Sequence, residues 1–276
     1  MSRSKTLIMP SMMYGTAWKK ENTKNLVIAA VSSGFNGIDT ACQPKHYRED
    51  LVGEALSQLY STTRTRESLF LQTKFTPISG QDPNNIPYDP KSPVPDQVKQ
   101  SIEKSLRNLR TDYIDSMLLH SPLNTHDKTM DAWKILEQYH NHGTLKQLGI
   151  SNIYDIDQLK RIYSDSTIKP SVIQNRFYQD TSYDKEIRSF CKQQNIKYQS
   201  FWTLTANLHL IRDVRTLAVS KTLGATPQQV FFRCVMDLGI VPLSGTTDKE
   251  HMMQDLCVEK MDHVLDSLPH IKHVVE

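Results

Sequence analysis

Four polar residues, most of them closing a short apolar run, carry the chemistry this sequence can do: Asp39 in GIDTA, Tyr47 in KHYRED, Lys74 in LFLQTKF and His120 in SMLLHSP. An acid, a phenol, an amine and an imidazole gathered in one pocket can protonate a carbonyl oxygen while hydride arrives at its carbon. Tyrosine alone is a poor acid, with an ordinary pKa of about 10, and a nearby ammonium lowers that value by favouring the phenolate. Lys74 is the expected source of that charge, Asp39 its partner, and His120 the group that orients the substrate oxygen or shares its proton. Singly, each has an ordinary explanation: a helix cap, an amphipathic rim, a snorkelling amine, a satisfied core histidine. The combination is what points to a site.

Positioning four such residues together demands a scaffold whose strand ends converge. Strand-like runs occur at 12–16, 36–39, 69–74, 115–120, 148–151, 172–175, 198–202 and 240–244. Helical patterns lie between them at 25–33, 49–60, 95–108, 129–142, 156–162, 185–194, 213–223 and 227–238. Regular alternation predicts a parallel sheet, and eight units predict closure into an α/β fold, the (β/α)8 TIM barrel, as a single domain over 1–276. Pro227 behind Thr226, and Pro95 with Asp96, mark two helix starts. The segment from 259 onward reads as a final helix followed by the short tail LPHIKHVVE. The stretch 76–95, dense in Pro, Asn, Asp and Ser, is a long loop on the active-site side of such a barrel, either a pocket wall or an inert insertion.

The 276 residues (31.7 kDa) suffice for one such core. A net charge of +3 without long basic runs gives no footprint for nucleic acid. Cys42, Cys191, Cys234 and Cys257 form no CxxC pair, so they read as reduced thiols. The start MSRSKTLIMP lacks an apolar signal core and no run is long enough to span a membrane, which predicts a soluble, cytoplasmic protein.

With these elements placed, the chain resembles the aldo-keto reductases from Met9 to about Leu256. The segments that carry the likeness are MPxxxYGTAW at 9–18, GIDTA at 37–41, VGEAL at 52–56, Thr73–Lys74, TDYIDSMLLH at 111–120, LGISN at 148–152 and VPLSGTT at 241–247. The resemblance implies NAD(P)H-dependent reduction of an aldehyde or ketone, with Asp39, Tyr47, Lys74 and His120 as the catalytic set and Tyr47 as general acid. It implies that Ser151, Asn152 and Gln174 hold the nicotinamide carboxamide and that Thr16 and Asp39 lie near its ribose. Ser200 and Ser244, Gly245, Thr246 and Thr247 are implied for the phosphates, in keeping with anion sites after the seventh and eighth strands of barrels. The lack of a GxGxxG turn fits this alternative to a Rossmann fold. A monomer is the family default.

The sequence departs from the family in three places. The spacer TACQPKH before Tyr47 is longer than usual, which makes His46 a rival acid. Where many members carry cations for a 2'-phosphate, this chain has Leu243 and His251, and a later Asn is Asp255; Lys249, Thr246 and Thr247 are the expected substitutes, so NADPH is the expected cofactor with NADH as the alternative. The aromatic that stacks on the nicotinamide falls at Gln199, flanked by Tyr198, Phe201 and Trp202. Trp18, Tyr178 and Trp202 are candidates for an apolar substrate wall. A short C-terminus implies a more open pocket.

Two other functions compete. A cofactor-binding barrel could serve as a redox-sensing partner of another protein, although a pure sensor has no need of the full catalytic set. A metal-dependent hydrolase would need more than His120 and His126 on a loop, so no metal is expected. No YxxxK sequence supports a short-chain dehydrogenase.

Overall fold

The computed structural model describes residues 8–276; the N-terminal reading of residues 1–7 lies outside it. Eight parallel strands close into a barrel in strict chain order: β1 (Met13–Gly15), β2 (Gly37–Asp39), β3 (Phe70–Phe75), β4 (Ile114–Leu119), β5 (Leu145–Ser151), β6 (Val172–Arg176), β7 (Lys197–Phe201) and β8 (Val241–Ser244), with β8 pairing back to β1. β3 and β4 are buried at every position, because one face lines the lumen and the other meets the helices. The outer face supplies the apolar core, with Met117, Leu119, Leu148, Ile150 and Ile173 packed among helix residues such as Trp133, Leu136 and Phe231.

The helical ring comprises α1 (Thr23–Ser33), α2 (Glu49–Tyr60), α3 (Val94–Leu109), α4 (His126–Asn141), α5 (Ile156–Asp165), α6 (Lys185–Gln193), α7 (Leu208–Ile211), α8 (Val214–Leu223), α9 (Pro227–Asp237), α10 (Lys249–Cys257) and α11 (Pro269–Val275). Thr226 and Gln229 form a reciprocal cap ahead of α9, with Pro227 in its first turn. Gly53 in VGEAL lets α2 touch α3: a Cβ there would stand 1.8 Å from the carbonyl oxygen of Asn108.

The C-terminal reading needs correction. The helix after β8 is α10, started by Asp248, whose carboxylate accepts from the amides of Glu250 and His251. Residues 258–268 make only short turns, and the presumed tail is itself helical. α11 buries Ile271 and Val275, and Arg188 of α6 donates to the carbonyl of Val275, so the segment docks on the outer ring. An apolar i, i+4 pair in seven residues is too short a pattern to separate from a tail.

Candidate functional site

Side chains two apart on a strand share a face, and this rule fills the lumen. β3 sends in Gln72 and Lys74 and, just past its end, Thr76; β6 sends Gln174, β7 Gln199 and β2 Asp39. Lys74 Nζ donates to both carboxylate oxygens of Asp39 at 2.7 Å each and to the carbonyl of Thr40 at 2.9 Å. The amides form a lattice beneath them. Gln72 donates to Asp39 (2.7 Å) and Gln199 (2.7 Å), and Gln174 donates to Asp39 (3.0 Å) and Gln199 (2.8 Å). A buried ion pair needs such extra hydrogen bonds to offset desolvation.

The long spacer before Tyr47 folds into a turn. Cys42 bridges to Phe75, Gln43 donates to the carbonyl of Gly80 at 2.7 Å, and the amide of Tyr47 donates back to Gln43. Tyr47 is thereby brought edge-on to His120, ring centroids 5.9 Å apart, with Lys74 Nζ 5.4 Å from the centre of its ring. The Tyr47 hydroxyl makes no hydrogen bond among the described residues. His120 is fixed from behind by Thr76, whose hydroxyl lies 2.6 Å from Nδ1, and its backbone carbonyl accepts from Asn152 at 2.9 Å. The loop 76–95 supports this arrangement, since Gln81 donates to the carbonyls of Cys42 and Thr76 and Tyr88 Oη donates to that of Thr76.

Electrostatics correct one expectation. The Tyr47 phenol is pushed above the ordinary tyrosine range, by burial first and then by the charge of Asp39. Lys74 Nζ, paired with Asp39 and 5.4 Å from the centre of the ring, does not offset these two causes. Burial pulls Lys74 below the ordinary lysine range, with Asp39 opposing. His120 is held well below its usual value by burial and then by Lys74, so the imidazole is neutral. Tyr47 therefore keeps its proton and Lys74 serves as the counter-ion of Asp39.

His46, the rival acid, stacks on Trp18 with ring centroids 3.6 Å apart and accepts the Trp18 amide on its carbonyl at 2.8 Å. Trp18 and Trp202 both stand in the left-handed backbone region, φ 64° and 56°, and are 59% and 50% exposed. A large aromatic in that region carries backbone strain. With Tyr178 they line a cleft of about 630 Å³ at the mouth. A second cleft of about 570 Å³, between α2 and α3 beside Arg66 and Asp112, opens at the opposite end of the barrel, far from these groups.

The residues considered for cofactor contact are distributed as follows. Thr16 donates to the carbonyl of Asp39 and Ser151 to that of Gln174, and both are buried. Ser200 is turned outward to Thr203 (2.8 Å), and Ser244 donates to Asp255 (2.7 Å). Thr246 Oγ1 accepts from the Asp248 amide, while Gly245 accepts from Lys19, a cation missed in the sequence. Thr247, Lys249 and His251 are exposed around the start of α10. Asp248 already occupies amides of that helix start with a carboxylate. Of the aromatics around Gln199, Tyr198 points to the outer core and donates to Asp184, as alternation requires, and Trp202 lies at the mouth.

Gln72, Thr76 and Arg176 were also missed. Each lies two residues from a recognised site residue on the same strand face, and that spacing was the available signal. His126 pairs with Asp165 at 2.7 Å, on α4 and α5 outside the lumen. Among the described residues, no group of three or more His, Cys, Asp or Glu is placed to hold a metal ion, and no helix is long and apolar enough to cross a membrane.

The family model described as Aldo/keto reductase family matches residues 6–272. The chain is 30% identical over 225 residues to glyoxal reductase of Bacillus subtilis (strain 168), covering 82% of this chain and 73% of the relative. It is 26% identical over 256 residues to methylglyoxal reductase DkgA of Salmonella typhimurium, covering 91% and 84%. Among solved structures, an aldo-keto reductase from a Medee basin deep-sea metagenome library is similar at TM-score 0.81 and 24% identity, covering 97% of this chain and 92% of that one. A Bombyx mori aldo-keto reductase in complex with NADP is similar at TM-score 0.81 and 21% identity, covering 96% and 89%.

Proposed function

The chain belongs to the aldo-keto reductase family, and from that premise we propose that it reduces small aldehydes or ketones to alcohols at the mouth of its barrel, with small dicarbonyls as the first substrates to consider. The observation that carries the reading is the convergence of Asp39, Lys74, Tyr47 and His120 at one end of the lumen, with a free phenol hydroxyl. Relatives named glyoxal and methylglyoxal reductases support the substrate class.

A nicotinamide dinucleotide, when bound, supplies the hydride. The donors present suit such a group: Gln174, Ser151 and Asn152 are amide and hydroxyl partners for a carboxamide, and Lys19 and Lys249 are cations toward phosphate, with the His251 ring as a further hydrogen-bonding group. NADPH is the proposed form on the strength of Lys249 and the Thr246 and Thr247 hydroxyls. NADH is the second reading, favoured by the Asp248 carboxylate at the start of α10 and by Leu243 in β8.

In this account Tyr47 holds a proton at its hydroxyl and gives it to the carbonyl oxygen as charge develops there. Neutral His120, its Nδ1 engaged by Thr76, has Nε2 available to orient that oxygen. Asp39 and the glutamine lattice keep Lys74 in place beneath the Tyr47 ring.

The test is loss of absorbance from NADPH, and separately NADH, with glyoxal, methylglyoxal and aromatic aldehydes. Carbonyl-dependent oxidation supports the reading. Binding of either cofactor with no turnover on any carbonyl would replace it with the redox-sensing barrel.

A further inference from the structure

The mouth cleft contains a guanidinium that stacks on aromatic rings and pairs with no acid among the described residues. Arg176 ends β6, two residues beyond Gln174 and on the same face of the strand. Its Cζ lies 4.0 Å from the centre of the Trp202 ring and 5.1 Å from that of Tyr178. Its Nε is buried and makes no hydrogen bond, and among the described residues its guanidinium forms no ion pair. Asp180, on the rim of the same cleft, is exposed and does not pair with it. Arginine stays charged at every working pH, and a buried donor left unsatisfied carries a desolvation cost.

Stacking on aromatics fixes a guanidinium while leaving its N–H groups for partners in its own plane, the geometry that suits two oxygens of one carboxylate or phosphate. The cleft adjoins the reaction centre. Trp18, on its opposite wall, stacks on His46, the neighbour of Tyr47, and Gln174 below Arg176 reaches Asp39.

We propose that Arg176 is the oxyanion-recognition residue of this cleft, taking a carboxylate or phosphate group carried by the carbonyl substrate or by the dinucleotide. The substrate arm rests on the reductase reading and narrows it to carbonyl compounds that bear an anionic group one ring or short chain away from the carbonyl.

The test compares the wild type with Arg176→Met and Arg176→Lys, using tryptophan fluorescence to titrate 4-(hydroxymethyl)benzoate against benzyl alcohol, and NADPH separately. Thermal melts establish that each variant is folded, and Arg176→Lys keeps the charge should Arg176→Met fail to fold. If the substrate brings the anion, Arg176→Met weakens the benzoate by about 10- to 100-fold, as loss of a charge-assisted contact should. Benzyl alcohol is then unchanged and Arg176→Lys recovers part of the loss. If the dinucleotide brings it, NADPH binding weakens by a similar factor while the two alcohols remain indistinguishable. Unchanged affinity for the benzoate and for NADPH in folded variants overturns the proposal. Turnover is read separately with 4-carboxybenzaldehyde and benzaldehyde: if neither is reduced yet the benzoate still needs Arg176, the reductase reading falls and the anion site stands.

Discussion

Lys74 and Asp39 face each other inside the barrel with Nζ 2.7 Å from both carboxylate oxygens, and both side chains are almost wholly buried. Removing one partner strands the other in a low dielectric. Lys74→Met is expected to cost about 3–5 kcal/mol of stability, and Lys74→Met with Asp39→Asn to recover part of that loss. Urea unfolding of the two variants beside the wild type measures both quantities. A double variant less stable than Lys74→Met would show that the charge is not what the pair neutralises.

Thr76 fixes the ring of His120 through the 2.6 Å contact at Nδ1. Thr76→Val, nearly the same shape, is expected to lower kcat about 10-fold through a misdirected imidazole, with little change in KM and a stability loss of about 1 kcal/mol. Thr76→Ser should restore the rate. Steady-state kinetics on the three proteins decides it.

Asp255 carries a pH dependence that can be isolated. Burial pushes its carboxyl up to about 6, against the hydrogen bond from Ser244. The folded protein then binds a proton between about pH 4 and 6 that the unfolded chain releases, so the contribution of Asp255 to stability is full below that window and is lost as pH rises through 6. The size is on the order of 3 kcal/mol. Asp255→Asn should therefore gain stability relative to the wild type at pH 7.5 and not at pH 4, measured by urea midpoints at the two values.

The fold was legible because each strand is a short apolar run punctuated by polar residues and each helix has a period of its own. A boundary moved where a capping side chain lay outside the periodic pattern, as with Thr125 ahead of α4, while the start of α5 behind Asp155 fell where it was read. The placement of Tyr47 was harder to read, since a turn stapled by Gln43 to Gly80 depends on a loop almost forty residues away. The direction of the Tyr47 shift was misjudged because sequence shows the neighbouring charges but not the burial that, together with Asp39, pushes the phenol up. Gln72 and Arg176 were visible as the i−2 and i+2 companions of Lys74 and Gln174, yet amphipathic and polar residues inside a barrel have no apolar signature.

The most direct measurement is the rate of NAD(P)H oxidation with a single good aldehyde for the wild type and Tyr47→Phe, with cofactor affinity titrated in both. The account predicts a fall of at least about 10²-fold in kcat with cofactor affinity unchanged. A Tyr47→Phe protein that keeps the wild-type rate would contradict it and pass the acid role to another group, His46 first.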